Sequence, residues 1–232
     1  MPPEPLTVSS LAGVPGLVHG FGRRAPGASA ETREETRARV ERLLQPHGVL
    51  WLLRQVHGHT VVEPPWPAPP AADAAVSGRR GDLLGIETAD CLPVLLVDPV
   101  RRAVAAVHAG WRGTAARVTG RAVSALVLRG SRPEELLAAL GPAIGACCYE
   151  VGDELRPAFG DEAAHVFSAG PNGRPHLDLA AANRRQLLAA GVPAAAITSV
   201  LECTRCRPEL YHSYRREGRG GGRMISYVGF SR

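Results

Sequence analysis

Lysine is absent from this sequence: all 27 basic residues of its 232 are arginine. The glycine-rich stretch Gly218–Arg223 therefore lacks the Lys-Ser/Thr ending of a phosphate-binding P-loop and reads as a loop leading into a last strand. No apolar run approaches the roughly 18 residues that a membrane-spanning helix needs. Met1–Pro5 is proline-rich rather than basic and apolar, so no signal peptide is expected. Clustered charge is missing too. The net charge of +5 permits phosphate binding, but the arginines are spread along the chain with no basic block interleaved with aromatics. Small anions are the expected partner, and nucleic acid and membrane are not. The five cysteines are an odd number in a chain too large to need disulfide staples, which points to a reducing cytoplasm. Cys203–Cys206 is a single CxxC with no second CxxC to complete a zinc ribbon, and Cys147–Cys148 are vicinal rather than spaced. Neither a structural zinc nor a redox dithiol is expected there.

The hydrophobic fraction of 45% is that of an ordinary globular protein, and the length suits one domain spanning residues 1–232. Strands are expected at Leu6–Leu11, Gly16–Phe21, Val49–Val56, Leu83–Glu87, Leu136–Leu140, Ile197–Leu201 and Met224–Phe230. Helices are expected from Ser29 to Pro46, over Thr114–Leu128, Val151–Phe159 and Leu177–Ala190, the last with Asp178 near its start and Gly191 at its end. Pro64–Pro70 reads as an extended surface loop. There is no internal repeat and no regular strand–helix alternation, so the class is α+β (mixed α/β) with sheets covered by helices.

Residues 88–113 carry the strongest signal. Two apolar runs, Leu92–Val97 and Ala103–Val107, flank a polar Asp-Pro turn; Cys91 precedes the first and His108 follows the second. Paired as an antiparallel hairpin, they set Cys91 and His108 side by side at one end of a sheet, next to Gly110–Gly113. Two chemistries fit. His108 can activate Cys91 as a nucleophile. Alternatively, both are metal ligands together with His57, or with His59 if the strand continues past Gly58, a set that leaves one position of a tetrahedral zinc open for hydrolytic or transfer chemistry. Asp90, next to the cysteine, is the acidic candidate for proton transfer or for orienting a ligand.

Collinear motifs along the chain resemble the YfiH-like proteins, labelled multicopper polyphenol oxidoreductases or laccases and also described as purine nucleoside phosphorylases. They include His19-Gly20-Phe21 with Arg24, Gln55-Val56-His57-Gly58, Ala72-Asp73-Ala74, Thr88-Ala89-Asp90-Cys91-Leu92-Pro93 and His108-Ala109-Gly110-Trp111-Arg112-Gly113. Further on come Gly141-Pro142, Cys148-Tyr149-Glu150-Val151-Gly152, Cys203-Thr204 and Ser213-Tyr214-Arg215-Arg216. One departure stands in the first motif, where Pro26 replaces the first glycine of an Arg-x-Gly-Gly turn.

The resemblance implies a layered sandwich of mixed β-sheets covered by helices, with zinc held by His57, Cys91 and His108. It also implies phosphorolysis of adenosine, inosine, guanosine and methylthioadenosine, together with deamination of adenosine. Arg112 is then the first candidate for the phosphate contact, and Arg24 and Gln55 are candidate substrate contacts. The alternatives are a hydrolase using Cys91 and His108, a copper-dependent polyphenol oxidase, and a non-catalytic peptidoglycan quality-control factor. Eight histidines with a single His-x-His speak against several copper centres, although copper is a competing occupant of one His/Cys site.

Overall fold

The computed structural model describes residues 3–25 and 31–232, so Pro26, Gly27 and Ser29 lie outside it. Along the first half of the chain come α1 (Ser9–Ala12), β1 (Leu17–Gly20), α2 (Arg33–Leu44), β2 (Val49–Leu52), β3 (Val61–Val62), β4 (Ala74–Ser77), β5 (Asp82–Thr88), β6 (Leu92–Asp98) and β7 (Ala103–Ala109). The second half adds α3 (Trp111–Ala115), α4 (Val118–Leu128), β8 (Leu137–Leu140), α5 (Ala163–Val166), β9 (Phe167–Ala169), β10 (Pro175–Leu177), α6 (Leu179–Ala189), β11 (Ile197–Ser199), α7 (Tyr214–Glu217) and β12 (Met224–Phe230).

The hairpin expected from the sequence is the centre of the molecule. β6 and β7 pair antiparallel from Leu92↔Ala109 to Asp98↔Ala103. The Asp98 carboxylate closes the turn by accepting the backbone N–H groups of Val100 and Arg101 at 2.9 and 2.8 Å. Both strands read as continuous apolar runs because both of their faces are buried. Val94, Leu96, Ala105 and Val107 face a core shared with α4 and α6. Leu95, Val97, Val104 and Ala106 face a second core shared with Leu84, Ile86, Val228 and Phe230.

Six strands run in the order β11-β8-β6-β7-β4-β3, and four in the order β1-β12-β5-β2. The two sheets stack through the second core. On the far face of the smaller sheet, Val40 and Leu44 of α2 pack on Leu52, Leu83, Ile225 and Tyr227. Four layers result, helix–sheet–sheet–helix, of mixed α/β class. β9 and β10 form a separate two-stranded ribbon.

Several elements differ from the expectations. Leu6–Leu11 contributes only an isolated bridge, Leu6↔Phe21, before α1. The Val49–Val56 strand stops at Leu52, where its parallel pairing with β5 ends at Leu52↔Gly85. The Thr114–Leu128 helix is two helices, separated at Arg117 by a left-handed residue with φ 61°. Val151–Phe159 is not α-helical: a 3-10 segment, Asp153–Glu162, contains Pro157 and breaks at Gly160, where φ is 53°. Leu177 belongs to β10, and α6 starts after Asp178, whose carboxylate accepts the Ala181 N–H at 2.8 Å.

The start of α2 is a capping box. The Thr32 hydroxyl accepts the Glu35 N–H at 3.2 Å, and the Glu35 carboxylate accepts the Thr32 N–H at 2.8 Å. That start aims Arg33 and Arg37 at Glu87 of β5, a carboxylate only 2% exposed, with Arg37 Nε 2.7 Å from Glu87 Oε1. Burial works against the Glu87 charge, but the two guanidinium groups outweigh it and hold the carboxyl below its ordinary range. A depressed native value stabilises the fold above the unfolded pKa of about 4.3, and the contribution is lost as pH falls through the native value. Glu87→Gln should therefore flatten the loss of stability between about pH 5 and pH 3, read as denaturant midpoints across that window. An unchanged slope would show that the ion pair is energetically silent.

Candidate metal centre and active-site cavity

Register brings the chemistry together. His108 is the penultimate residue of β7 and pairs with Pro93, so Cys91, one residue before β6, sits beside Ala109 and Gly110. His57 arrives from the turn after β2. One ligand atom from each of His57, Cys91 and His108 lies within 4.8 Å of the others, and the two imidazole centroids are 4.9 Å apart. A Cβ on Gly110 would lie 3.0 Å from Cys91 Sγ and 3.1 Å from His57 Cδ2, so any larger residue would have to push these two side chains aside.

Asp73, just before β4, organises the set. Its carboxylate is fully buried and lies 2.8 Å from His108 Nδ1. It also accepts the backbone N–H groups of Val56, His57 and Gly58 at 3.2, 2.9 and 2.6 Å. One side chain therefore shapes the His57 turn and orients the His108 ring, leaving Nε2 free to serve as a donor. Burial opposes ionisation of Cys91, yet His108 and His57 beside it bring the thiol down to about 6. Burial likewise opposes the His108 imidazolium, but Cys91 and Asp73 carry its pKa up to about 9. Two imidazoles and a readily ionised thiol, backed by a carboxylate, fit the donor preferences of zinc and copper.

The centre opens into a cavity of about 540 Å³. Trp111, Tyr149 and Tyr214 give it aromatic walls, and Arg33, Arg112, Arg215 and Arg223 bring positive charge. Three of these cations already have partners. Arg33 pairs with Glu87, Arg215 donates to the Glu150 carbonyl at 2.9 Å, and Arg223 donates to the Gly221 and Gly222 carbonyls, both at 2.9 Å. Arg112 stacks on Trp111, with Cζ 4.4 Å from the ring, and has no hydrogen bond or ion pair among the described residues.

The other site residues named from the sequence have different surroundings. Gln55 lines the cavity, but both ends of its amide are taken by the backbone of Glu87, each at 2.7 Å. Both Asp90 oxygens are engaged, Oδ1 by the Thr204 hydroxyl at 2.6 Å and Oδ2 by the Arg215 N–H at 2.7 Å. Arg24 is not among the cavity-lining residues and pairs with Glu217 at 3.2 Å. Sequence reasoning gave Asp73 no role. Its signal was a lone acid inside the otherwise small and apolar stretch Ala71–Val76. The fold also unites Cys147 and Cys148 with Cys203 and Cys206, which the spacing had kept apart.

Comparison with known proteins adds independent findings. The family model described as multi-copper polyphenol oxidoreductase laccase matches residues 23–231. The adenosine deaminase RL5 of an unknown prokaryotic organism is 43% identical over 162 residues, 67% of this chain but only 61% of that protein. The purine nucleoside phosphorylase of Deinococcus radiodurans is 41% identical over 181 residues, covering 78% of this chain and 70% of its own. The crystal structure of the hypothetical protein YfiH of Bacillus licheniformis superposes with a TM-score of 0.84 at 26% identity, covering 93% of both chains. Among the described residues, no helix is long and apolar enough to cross a membrane.

Asp73→Asn places an amide N–H₂ among groups that now donate to a carboxylate. It should lower the unfolding free energy of the metal-free protein by about 3 kcal/mol. It should also weaken metal binding by about 10- to 100-fold in a chelator competition titration. A variant with wild-type stability and affinity would remove Asp73 from its organising role.

Proposed function

This chain belongs to the YfiH-like, multi-copper polyphenol oxidoreductase laccase family, and from that membership we propose that it is a zinc-dependent purine nucleoside phosphorylase with adenosine deaminase activity. The observation that carries the reading is the His57–Cys91–His108 cluster lining an aromatic cavity together with Arg112, an arginine with no ion pair among the described residues. The names of the relatives, purine nucleoside phosphorylase and adenosine deaminase, supply the substrate class.

His57, Cys91 and His108 would hold the zinc, which supplies Lewis acidity and lowers the pKa of water for hydrolysis. Asp73 fixes His108 as a donor through Nε2. Arg112 offers its planar fork to phosphate, where a bidentate contact sets the anion beside the ribose. Tyr149 and Trp111 provide flat surfaces for a purine base. Burial, with the Cys91 charge nearby, pushes the Tyr149 hydroxyl up to about 12, so it stays protonated and donates. With both of its oxygens occupied, Asp90 braces the Cys91 backbone instead of carrying a mobile proton.

One arrangement favours a second reading. Asp73, His108 and Cys91 form a relay in which a thiolate stands beside an oriented imidazole, the set a cysteine hydrolase uses. Copper-dependent polyphenol oxidation finds less support, because the donors gathered among the described residues include only two histidines together.

Purified protein should release hypoxanthine from inosine and phosphate, lose that activity to a strong chelator and recover it with zinc. Activity that survives chelation and falls to thiol alkylation would transfer the assignment to the Cys91 nucleophile. No nucleoside turnover with metal restored would overturn both.

Arg112→Ala should raise KM for phosphate by about 10- to 100-fold, the loss of one charge-assisted contact, with less effect on KM for inosine. An unchanged KM for phosphate would place the anion elsewhere in the cavity.

A further inference from the structure

We propose that Cys147, Cys148, Cys203 and Cys206 form a second metal site, a structural zinc centre of four thiolates that staples two loops behind the active-site cavity. The inference is independent of the reaction proposed above.

Topology gathers the cysteines. β8 and β11 are parallel neighbours, and their pairing continues past both strands as the isolated bridge Ala143↔Cys203. The two chains then turn beside each other. Cys148 and Tyr149 both donate backbone N–H groups to the Gly145 carbonyl, at 2.9 and 3.0 Å, which folds the vicinal pair back. The Arg207 N–H bonds the Cys203 carbonyl at 3.1 Å, which does the same for the CxxC segment.

All four sulfurs lie within 4.8 Å of one another; Cys148 Sγ is 3.3 Å and Cys147 Sγ 3.8 Å from Cys206 Sγ. With Zn–S bonds of about 2.3 Å, a tetrahedron has sulfur–sulfur edges of about 3.8 Å. The observed spacing matches that edge and is far from the roughly 2.05 Å of a disulfide. A multi-iron cluster puts several metals and sulfides between its cysteines and needs them farther apart.

The surroundings suit bound thiolates. The Gly145 N–H donates to Cys203 Sγ at 3.3 Å. The Arg205 guanidinium is near enough to Cys148, Cys203 and Cys206 to feel their charge, so it would offset part of the negative charge that four thiolates leave on a divalent ion. Hydrophobic burial does not explain the convergence, since Cys147 and Cys206 are exposed. Both loops also serve the cavity. Tyr149, next to Cys148, forms part of its wall, and Thr204, next to Cys203, holds Asp90.

The test is a metal count on protein purified under reducing conditions without chelator. Wild type should carry two zinc ions per chain, and His57→Ala/Cys91→Ser should keep one. Cys203→Ser/Cys206→Ser should also keep one and melt at a lower temperature. Cobalt loaded into the His57→Ala/Cys91→Ser protein should show the intense thiolate-to-cobalt charge transfer of a four-sulfur site, a readout that does not require the serine variant to fold. A single zinc lost with His57 and Cys91, or no such band, would overturn the proposal. So would a Cys148–Cys206 disulfide in the reduced preparation. Because each pair of substitutions empties one centre, failure of the nucleoside assay would leave this count unaffected.

Discussion

The carboxylate of Asp73 is the contact on which the site depends. It is fully buried, yet it carries four polar contacts: three backbone N–H groups of the 56–58 turn and Nδ1 of His108. Without it, the turn bearing His57 would lose the one acceptor of three of its backbone N–H groups, and the His108 ring would be free to choose its orientation. A single anion thus joins a loop from the smaller sheet's strand β2 to the central hairpin of the larger sheet. The first-layer donors are on separate pieces of chain, and Asp73 makes them one unit.

Backbone strain marks the same place. Among the described residues, four that are not glycine have positive φ, and two of them are His57 at 59° and Asp90 at 89°. Conformations of this kind persist only where the surroundings over-determine them. For His57 the restraint is the Asp73 carboxylate. For Asp90 it is the pair of contacts from Thr204 and the Arg215 N–H, together with its own carbonyl, which accepts the Ile144 N–H at 2.9 Å. The strain turns the chain sharply just before Cys91 and so aims the sulfur at His108.

What could be read from the sequence follows from which signals are local. The β6–β7 hairpin was legible because strands buried on both faces appear as uninterrupted apolar runs around a turn. β12 was legible as a run of β-branched and aromatic residues following the glycine-rich loop, and α6 through its Asp178 cap. Residues 114–128 looked like one helix because helical periodicity continues through the left-handed kink at Arg117. β4 escaped notice because Ala74–Ser77 is too small and short to stand out, although all four of its residues are buried. The role of Asp73 depends on the pairing of β4 with β7 (Ala74↔Val107), a contact across about thirty residues that no spacing rule carries. The four-cysteine cluster was hidden in the same way. A vicinal pair and a lone CxxC become one set only through the parallel pairing of β8 with β11.

Charge in the cavity separates the roles that composition leaves merged. A chain whose only cations are arginines presents many candidates for an anion, and their partners sort them. Arg33 neutralises Glu87, and Arg24 is bound to Glu217 outside the cavity. Arg215 and Arg223 are spent on backbone carbonyls and so build the walls. Arg112 stacks on Trp111 at the first turn of α3, which begins directly after the glycine that admits Cys91 and His57. Helix start, stacked guanidinium and donor cluster therefore share one short segment, 108–112. Under the proposed function, an anion drawn to Arg112 would lie beside His57, Cys91 and His108, and one short segment of sequence would carry both halves of the site.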